Sequence, residues 1–180
     1  RILKQIHQHL MVNQPYFLLA CQILHYMFVR PREMSFLKVG DFSVEKKTLS
    51  LDGNHTKNHN DAVITVPDHI IKLMIEIGIF DYPNSYYLFG NDFMPGAKRR
   101  SEKAFRDYWD KYVRKELGFS DRYKFYSLKD TGITNMLKSN MDILTVRDQA
   151  RHSSILITDI YTPKDIKEAN KLIVRFQGEL

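Results

Sequence analysis

The stretch Pro15–Val29, PYFLLACQILHYMFV, leaves the chain few choices. It is apolar on nearly every face, so it reads as a helix that must be buried all round. Pro15 suits the first turn, where the N–H it lacks would have no partner anyway. Such a helix has to lie at the centre of a core built by the rest of the chain. At 180 residues the chain is long enough for one domain that needs no disulfide staples. His25, inside the stretch, reads as a satisfied core or rim histidine rather than a ligand. The helix runs straight into Arg30-Pro31-Arg32-Glu33-Met34.

The segments that must cover it follow from periodicity. Ile2, Ile6 and Leu10 mark a short amphipathic helix. EMSFLKV, residues 33–39, begins another. From Asp41 the period becomes two: FSVEKKTLSLDG is a strand, a turn at Glu45–Lys47 and a second strand, and AVITVP is a third strand closed by Pro67. Between them NHTKNHN is a loop with Lys57 at or beside the hairpin tip. Pro67-Asp68 opens the helix HIIKLMIEIGI. Tyr82 to Gly96 is a turn-rich surface loop around a short buried YYLF. Ser101 starts a long helix ending at Gly118, with Ala104, Phe105, Tyr108, Trp109, Tyr112 and Val113 as its buried face. Leu128, Ile133, Met136 and Leu137, interrupted by Gly132, mark a further helix. Ile143, Leu144, Val146 and Ala150 mark the next, which leads to His152. After Tyr161, Thr162-Pro163 breaks the chain and Asp165 opens a tail helix, DIKEANKLIVRF, with Ile166, Ala169, Ile173 and Phe176 on one face. The fold class is α+β, mostly helical, with a small antiparallel sheet.

Charge narrows the partners. Lys and Arg number 27 against 21 Asp and Glu, a net charge of +6, which favours a polyanion such as nucleic acid. Lys98, Arg99, Arg100 and Lys103 cluster where the long helix starts and can meet a DNA backbone; a solvated charge run is the alternative. The one cysteine, Cys21, lies in an apolar run, so no disulfide framework exists and a reducing, cytoplasmic setting is expected. No run of about 18 apolar residues suggests a membrane span. His55, His59 and His69 lack the Cys or carboxylate partners of a metal-ligand set, so no metal is expected.

The remaining chemistry gathers around Tyr161. A phenol, with a reference pKa of about 10, attacks at neutral pH only if cations hold the developing charge and a neighbour takes its proton. Arg30, Lys57, Lys129 and His152 are the cations on offer. Arg30-Pro31-Arg32-Glu33-Met34-Ser35-Phe36-Leu37, the hairpin Lys57, Tyr126-Ser127-Leu128-Lys129, His152-Ser153-Ser154 and Tyr161 occur in that order. This series resembles the catalytic domain of tyrosine recombinases, the phage-integrase family, from about Gln14 to Tyr161. The family motif begins R-x-x-E, and its spacing to Glu33 and Met34 selects Arg30 over Arg32. Three positions depart from the pattern: Tyr126 where the family has His, Lys129 where it has its second Arg, and Arg151 where Gly commonly precedes the His-Ser-Ser box.

The resemblance implies site-specific recombination and integration of double-stranded DNA for a bacterial mobile element. Tyr161 would attack a phosphodiester, form a 3′-phosphotyrosyl link and free a 5′-hydroxyl. Arg30, Lys129 and His152 would stabilise the nonbridging oxygens, Lys57 would protonate the leaving oxygen, and Tyr126 would assist. No cofactor is implied. Arg151 joins the residues expected on DNA. Residues 1–180 would be the C-terminal catalytic domain of an integrase, with an N-terminal core-binding domain outside this chain and a tail at 162–180. A monomer in solution and a tetramer on DNA are expected, the tail docking in trans. A DNA-binding module with impaired catalysis and a type IB topoisomerase-like enzyme are the alternatives.

Overall fold

The computed structural model describes residues 1–161, 169 and 171–177. The apolar stretch does form the central helix: α2, Pro15–Gln22, is buried along most of its length and continues as a π-helical turn over Ile23–Met27. Before it lies α1, Ile2–Asn13, with Ile6 and Leu10 inward. After it, α3 is brief, Pro31–Met34. The expected helix over 33–39 is thus shorter and earlier than its pattern implied. Ser35 Oγ donates to the Arg32 carbonyl at 2.6 Å, and the chain closes in tight turns instead.

Three strands follow, β1 Phe42–Ser43, β2 Thr48–Leu51 and β3 Ala62–Thr65, in an antiparallel sheet ordered β1-β2-β3. Leu49 faces Ile64 in the register, and these two with Leu51 turn inward while Val63 is exposed. Alternation in the sequence survives as one buried and one wet face. Helix α4, Asp68–Glu76, packs Ile70, Leu73 and Met74 on the core.

The long helix begins as expected, α5 at Glu102–Tyr108, but turns π-helical over Trp109–Arg114 and ends at Gly118 in a left-handed conformation (φ 67°). A π turn adds a residue to the repeat and rotates the face that follows. Trp109 and Val113 are therefore buried, whereas Tyr112, expected inside, is 39% exposed.

Three more helices carry the C-terminal motifs: α6 Ser127–Lys138, α7 Ile143–Ala150 and α8 Ile155–Asp159. Gly132, an interruption in the sequence pattern, is where α6 crosses the π turn after α2. A Cβ there would stand 1.7 Å from the His25 carbonyl oxygen. His25 itself donates from Nδ1 to the Leu128 carbonyl at 2.9 Å, in keeping with a core role. A small second core joins Phe28, Ile133, Val146 and Ala150, with Tyr161 against it; Leu144 faces outward. Helix α7 is pinned to the open edge of β3 because the Gln149 amide exchanges two hydrogen bonds with Thr65, at 3.0 and 2.8 Å. Of the expected tail helix, α9 covers Lys171–Arg175. Thr162-Pro163, Asp165 and Ile166 lie outside the described residues, as does most of the tail that the sequence reading begins at 162. Among the described residues no helix is long and apolar enough to cross a membrane.

Gly132→Ala is expected to destabilise the fold at or beyond the upper end of the roughly 1–3 kcal/mol typical of overpacking, because its clash is with backbone. Urea unfolding of the variant reads this directly; wild-type stability would mean the two helices can part freely.

Candidate active site

Arg30 lies two residues after a left-handed turn of the backbone. Phe28 is fully buried in the left-handed region (φ 59°), and Arg30 is extended (φ −70°, ψ 151°) at the N-cap of α3. A bulky residue at positive φ is costly and stays only where packing holds it; here the second core holds the Phe28 ring. Glu33, in the first turn of α3, reaches back to accept the Arg30 backbone N–H at 3.0 Å and Arg30 Nη1 at 3.4 Å.

Glu33 is only 3% exposed, and a carboxylate so buried requires charged donors. Arg151 supplies them as a fork, Nη1 to Oε1 at 2.9 Å and Nη2 to Oε2 at 2.6 Å. The Lys57 backbone N–H also points at Oε1, at 3.4 Å, and Asn58 Nδ2 donates to the Arg151 carbonyl at 3.2 Å. Burial pushes Glu33 up, but the hydrogen bonds and charge of Arg151, then those of Arg30, outweigh it and hold the carboxyl below its ordinary value. One carboxylate thereby joins the start of α3, the β2–β3 loop and the end of α7.

Arg151 can turn inward because it ends α7 in a left-handed conformation (φ 57°). The His152 backbone N–H donates to the Arg147 carbonyl at 3.0 Å, the closing bond of a Schellman turn. The sequence placed Arg151 on DNA; its guanidinium instead lies against Glu33. Among the described residues its Nε is buried without a partner.

Lys129, on α6, is 4% exposed, with its ammonium 5.7 Å from the centre of the Tyr126 ring. Burial, then the neighbouring Arg30 charge, lowers it to about 8, so it is still an ammonium at pH 7. His152 Nδ1 hydrogen-bonds Thr158 Oγ1 at 2.9 Å. Burial and the charges of Lys129, Arg30 and Arg151 depress it to about 4. His152 is therefore a neutral donor or acceptor in the resting protein, not the cation its residue type suggested. Tyr161 lies next to it, ring planes 15° apart and centroids 6.4 Å apart, and its hydroxyl donates to Asp130 Oδ1 at 2.9 Å. Burial first, and then Asp130, push the phenol up to about 12.

The fold thus brings Arg30, Tyr126, Lys129, His152 and Tyr161 to one place, with the Lys57 loop beside them. A cleft of about 320 Å³ runs between Arg30, Glu33 and Lys57. A larger one, about 700 Å³, opens from Arg30 past Arg32, Lys103, Arg106, Lys124 and Tyr126. Of the expected DNA-contacting cluster, Lys98 is exposed, Arg99 lies over the Phe36 ring at 4.1 Å and donates to Ser35, Arg100 lies over Phe93 at 5.4 Å, and Lys103 pairs with Asp107. Arg106 and Lys124, which the sequence reading passed over, line the cleft as well. The histidines considered for metal do other work: His55 stacks on Phe36, centroids 3.9 Å apart, and His69 packs edge-on to Tyr26. Among the described residues no group of three or more His, Cys, Asp or Glu could hold a metal ion. Asp130, Thr158 and the inward pairing of Arg151 with Glu33 belong to this cluster as well, and no local sequence signal isolates them.

The sequence matches the family model described as the phage integrase family over residues 2–168. No protein of curated function matches it. Among solved structures, the XerA recombinase superposes with a TM-score of 0.71 at 19% identity, over 96% of this chain and 60% of that one. An integrase of the transposon Tn1549, solved with transposon right-end DNA, gives 0.74 at 11% identity, over 91% of this chain and 60% of its own. A lambda integrase dimer bound to a COC′ core site gives 0.65 at 13% identity, with 94% and 60% covered. The chain therefore spans about 60% of the length of each of these structures, and at such identities the likeness is one of fold.

The depressed His152 gives a pH prediction with a definite sign. Its folded value of about 4 lies below the ordinary 6.5, so the unfolded chain binds the proton more readily. Its contribution to stability is whole above pH 6.5 and is lost as pH falls towards 4. His152→Gln should lose stability less steeply than wild type across that window in urea titrations; equal slopes would show that His152 is not held neutral.

Proposed function

The chain belongs to the phage integrase family, and from that we propose that it cleaves and rejoins double-stranded DNA in site-specific recombination, with Tyr161 as nucleophile. The observation that carries the reading is the convergence of Tyr161 with Arg30, Lys129 and His152, residues drawn from three separate motifs. Arg30 offers a planar fork to a phosphate oxygen. Lys129 offers a desolvated ammonium, whose attraction for an anion is strengthened by the low local dielectric. His152, neutral, offers a hydrogen bond through the ring nitrogen that Thr158 leaves free. The two charges and the imidazole hydrogen bond stand ready before substrate arrives, which is the arrangement that stabilises a pentavalent phosphorane-like transition state.

In this mechanism the Tyr161 oxygen forms a bond to phosphorus as the bond to the 5′-oxygen breaks. Lys57, on the loop whose backbone points at Glu33, protonates that leaving oxygen. The product is a 3′-phosphotyrosyl link, and attack by a 5′-hydroxyl reverses the step and joins strands without ATP. Tyr126, beside Lys129, assists at the edge of the phosphate. The clefts on either side of Arg30, lined by Arg32, Lys103, Arg106 and Lys124, are the path proposed for the DNA backbone. We further infer a catalytic domain working within a longer, multimeric recombinase of a mobile element; the share of the Tn1549 and lambda integrase chains that it spans supports the longer chain, and the transposon integrase and the integrase dimer among its structural likenesses support the rest.

Incubation with a pool of random-sequence nicked duplexes, followed by denaturing electrophoresis and peptide mapping, tests the chemistry without knowing the target. The wild type should give a covalent adduct on Tyr161. Tyr161→Phe should give none while binding duplex DNA within a few-fold of wild type. An adduct persisting in the Phe variant, or mapped to another residue, would contradict the assignment.

A further inference from the structure

The proposed cleavage leaves one proton without a destination. Lys57 serves the leaving oxygen, but the phenol must also give up its proton as it attacks. Imidazole is the usual candidate for that task. Here the two rings lie side by side, 15° from parallel with centroids 6.4 Å apart, and His152 Nδ1 is engaged by Thr158. The hydroxyl's own hydrogen bond runs elsewhere, to Asp130 Oδ1 at 2.9 Å. That distance is within the range a base needs to reach the proton it removes.

The placement of Asp130 follows from the fold. It is the residue after Lys129 on α6, so adjacent positions on one helix turn carry the cation facing the phosphate and the carboxylate facing the nucleophile. Lys129 points inward at 4% exposure, whereas Asp130 stands exposed at the rim. Tyr161 is fixed on the other side by the second core, where its ring packs with Phe28, Ile133, Val146 and Ala150. The phenol can thus keep its hydroxyl on Asp130 while its ring stays in place.

We propose that Asp130 is a further catalytic residue of this chain, the general base that accepts the Tyr161 phenolic proton during attack on the DNA phosphodiester. A lone pair of the Tyr161 oxygen forms the O–P bond, the P–O5′ bond breaks, the phenolic proton passes to Asp130 Oδ1, and the Lys57 ammonium gives a proton to O5′. In religation both protons return by the reverse path. The same carboxylate explains the resting state. Burial first, and then the hydrogen bond that Asp130 accepts, favour the neutral phenol, which stands at about 12. No free phenolate is present to react before a phosphate arrives. A carboxylate is a weak base towards a resting phenol, but the phenolic oxygen becomes far more acidic as it bonds to phosphorus, and transfer is then downhill.

The inference rests on Tyr161 being the nucleophile, and the test separates the two. With the random nicked-duplex pool at saturating concentration, wild type must first form the Tyr161 adduct; if it forms none there, the functional reading fails, and with it the role of Asp130. Given that adduct, Asp130→Asn keeps the shape and the acceptor oxygen but cannot take the proton. Its single-turnover rate should fall by roughly 10²–10⁴, the usual worth of a positioned general base, with duplex affinity unchanged. Asp130→Gly should show a similar loss and recover at least tenfold when formate is added, since the exposed site admits a small carboxylate. An Asp130→Asn rate within threefold of wild type, a faster one, or a glycine variant that formate does not restore would each overturn the assignment.

Discussion

The structure depends most on one buried carboxylate. Glu33 carries its charge at 3% exposure, and such a charge is tolerated only when donors surround it. Those donors come from Arg30 beside it, from the backbone of Lys57 in the β2–β3 loop, and from Arg151, 118 residues away. Removing either guanidinium would leave the carboxylate less balanced in a poorly hydrated place. The cost of burying Glu33 therefore enforces the meeting of three segments, each of which carries a residue of the proposed chemistry on or next to it.

Packing does the rest of the positioning. The near contact at Gly132 lets α6 lie against the π turn after α2, and that crossing brings Lys129 under Arg30. The same turn ends in Phe28, whose buried ring gathers Ile133, Val146, Ala150 and Tyr161 into the second core. Tyr161, the proposed nucleophile, and the helix that carries Lys129 thus meet at one small apolar cluster. Electrostatics follow from that closeness: burial, and then the charges of Lys129, Arg30 and Arg151, depress His152, while burial, and then Asp130, raise Tyr161. The resting site holds a neutral imidazole and a neutral phenol among fixed cations.

Much of this was legible in the sequence, for definable reasons. The all-round apolarity of residues 15–29, the period-two strands and the starts at Pro15, Pro67 and Ser101 are local signals, and the structure follows them. The order of Arg30, Lys57, Lys129, His152 and Tyr161 carried the resemblance to the integrases. What could not be read depends on contacts between distant segments. Arg151 looked like a DNA-facing cation because nothing near it in sequence shows the buried Glu33 it pairs with. Nothing local in the sequence marks Asp130, whose place depends on Tyr161, 31 residues on, lying against it. Tyr112 fitted a 3.6-residue stripe, and only the π turn at 109–114 moves it outward. His152 had the residue type of a cation, and its neutrality comes from burial and then from the charges that folding brings beside it.

Glu33 is proposed to organise the site for chemistry and not merely for stability. The most direct measurement is the rate of phosphotyrosyl adduct formation by Glu33→Gln at saturating DNA, under conditions where circular dichroism shows the variant fully folded. Loss of the carboxylate charge should free Arg151 and loosen Arg30, cutting the rate by roughly 10² or more, as the loss of preorganised oxyanion contacts does, with duplex affinity held within a few-fold. A folded Glu33→Gln protein that forms the adduct at the wild-type rate would show that Glu33 serves stability alone.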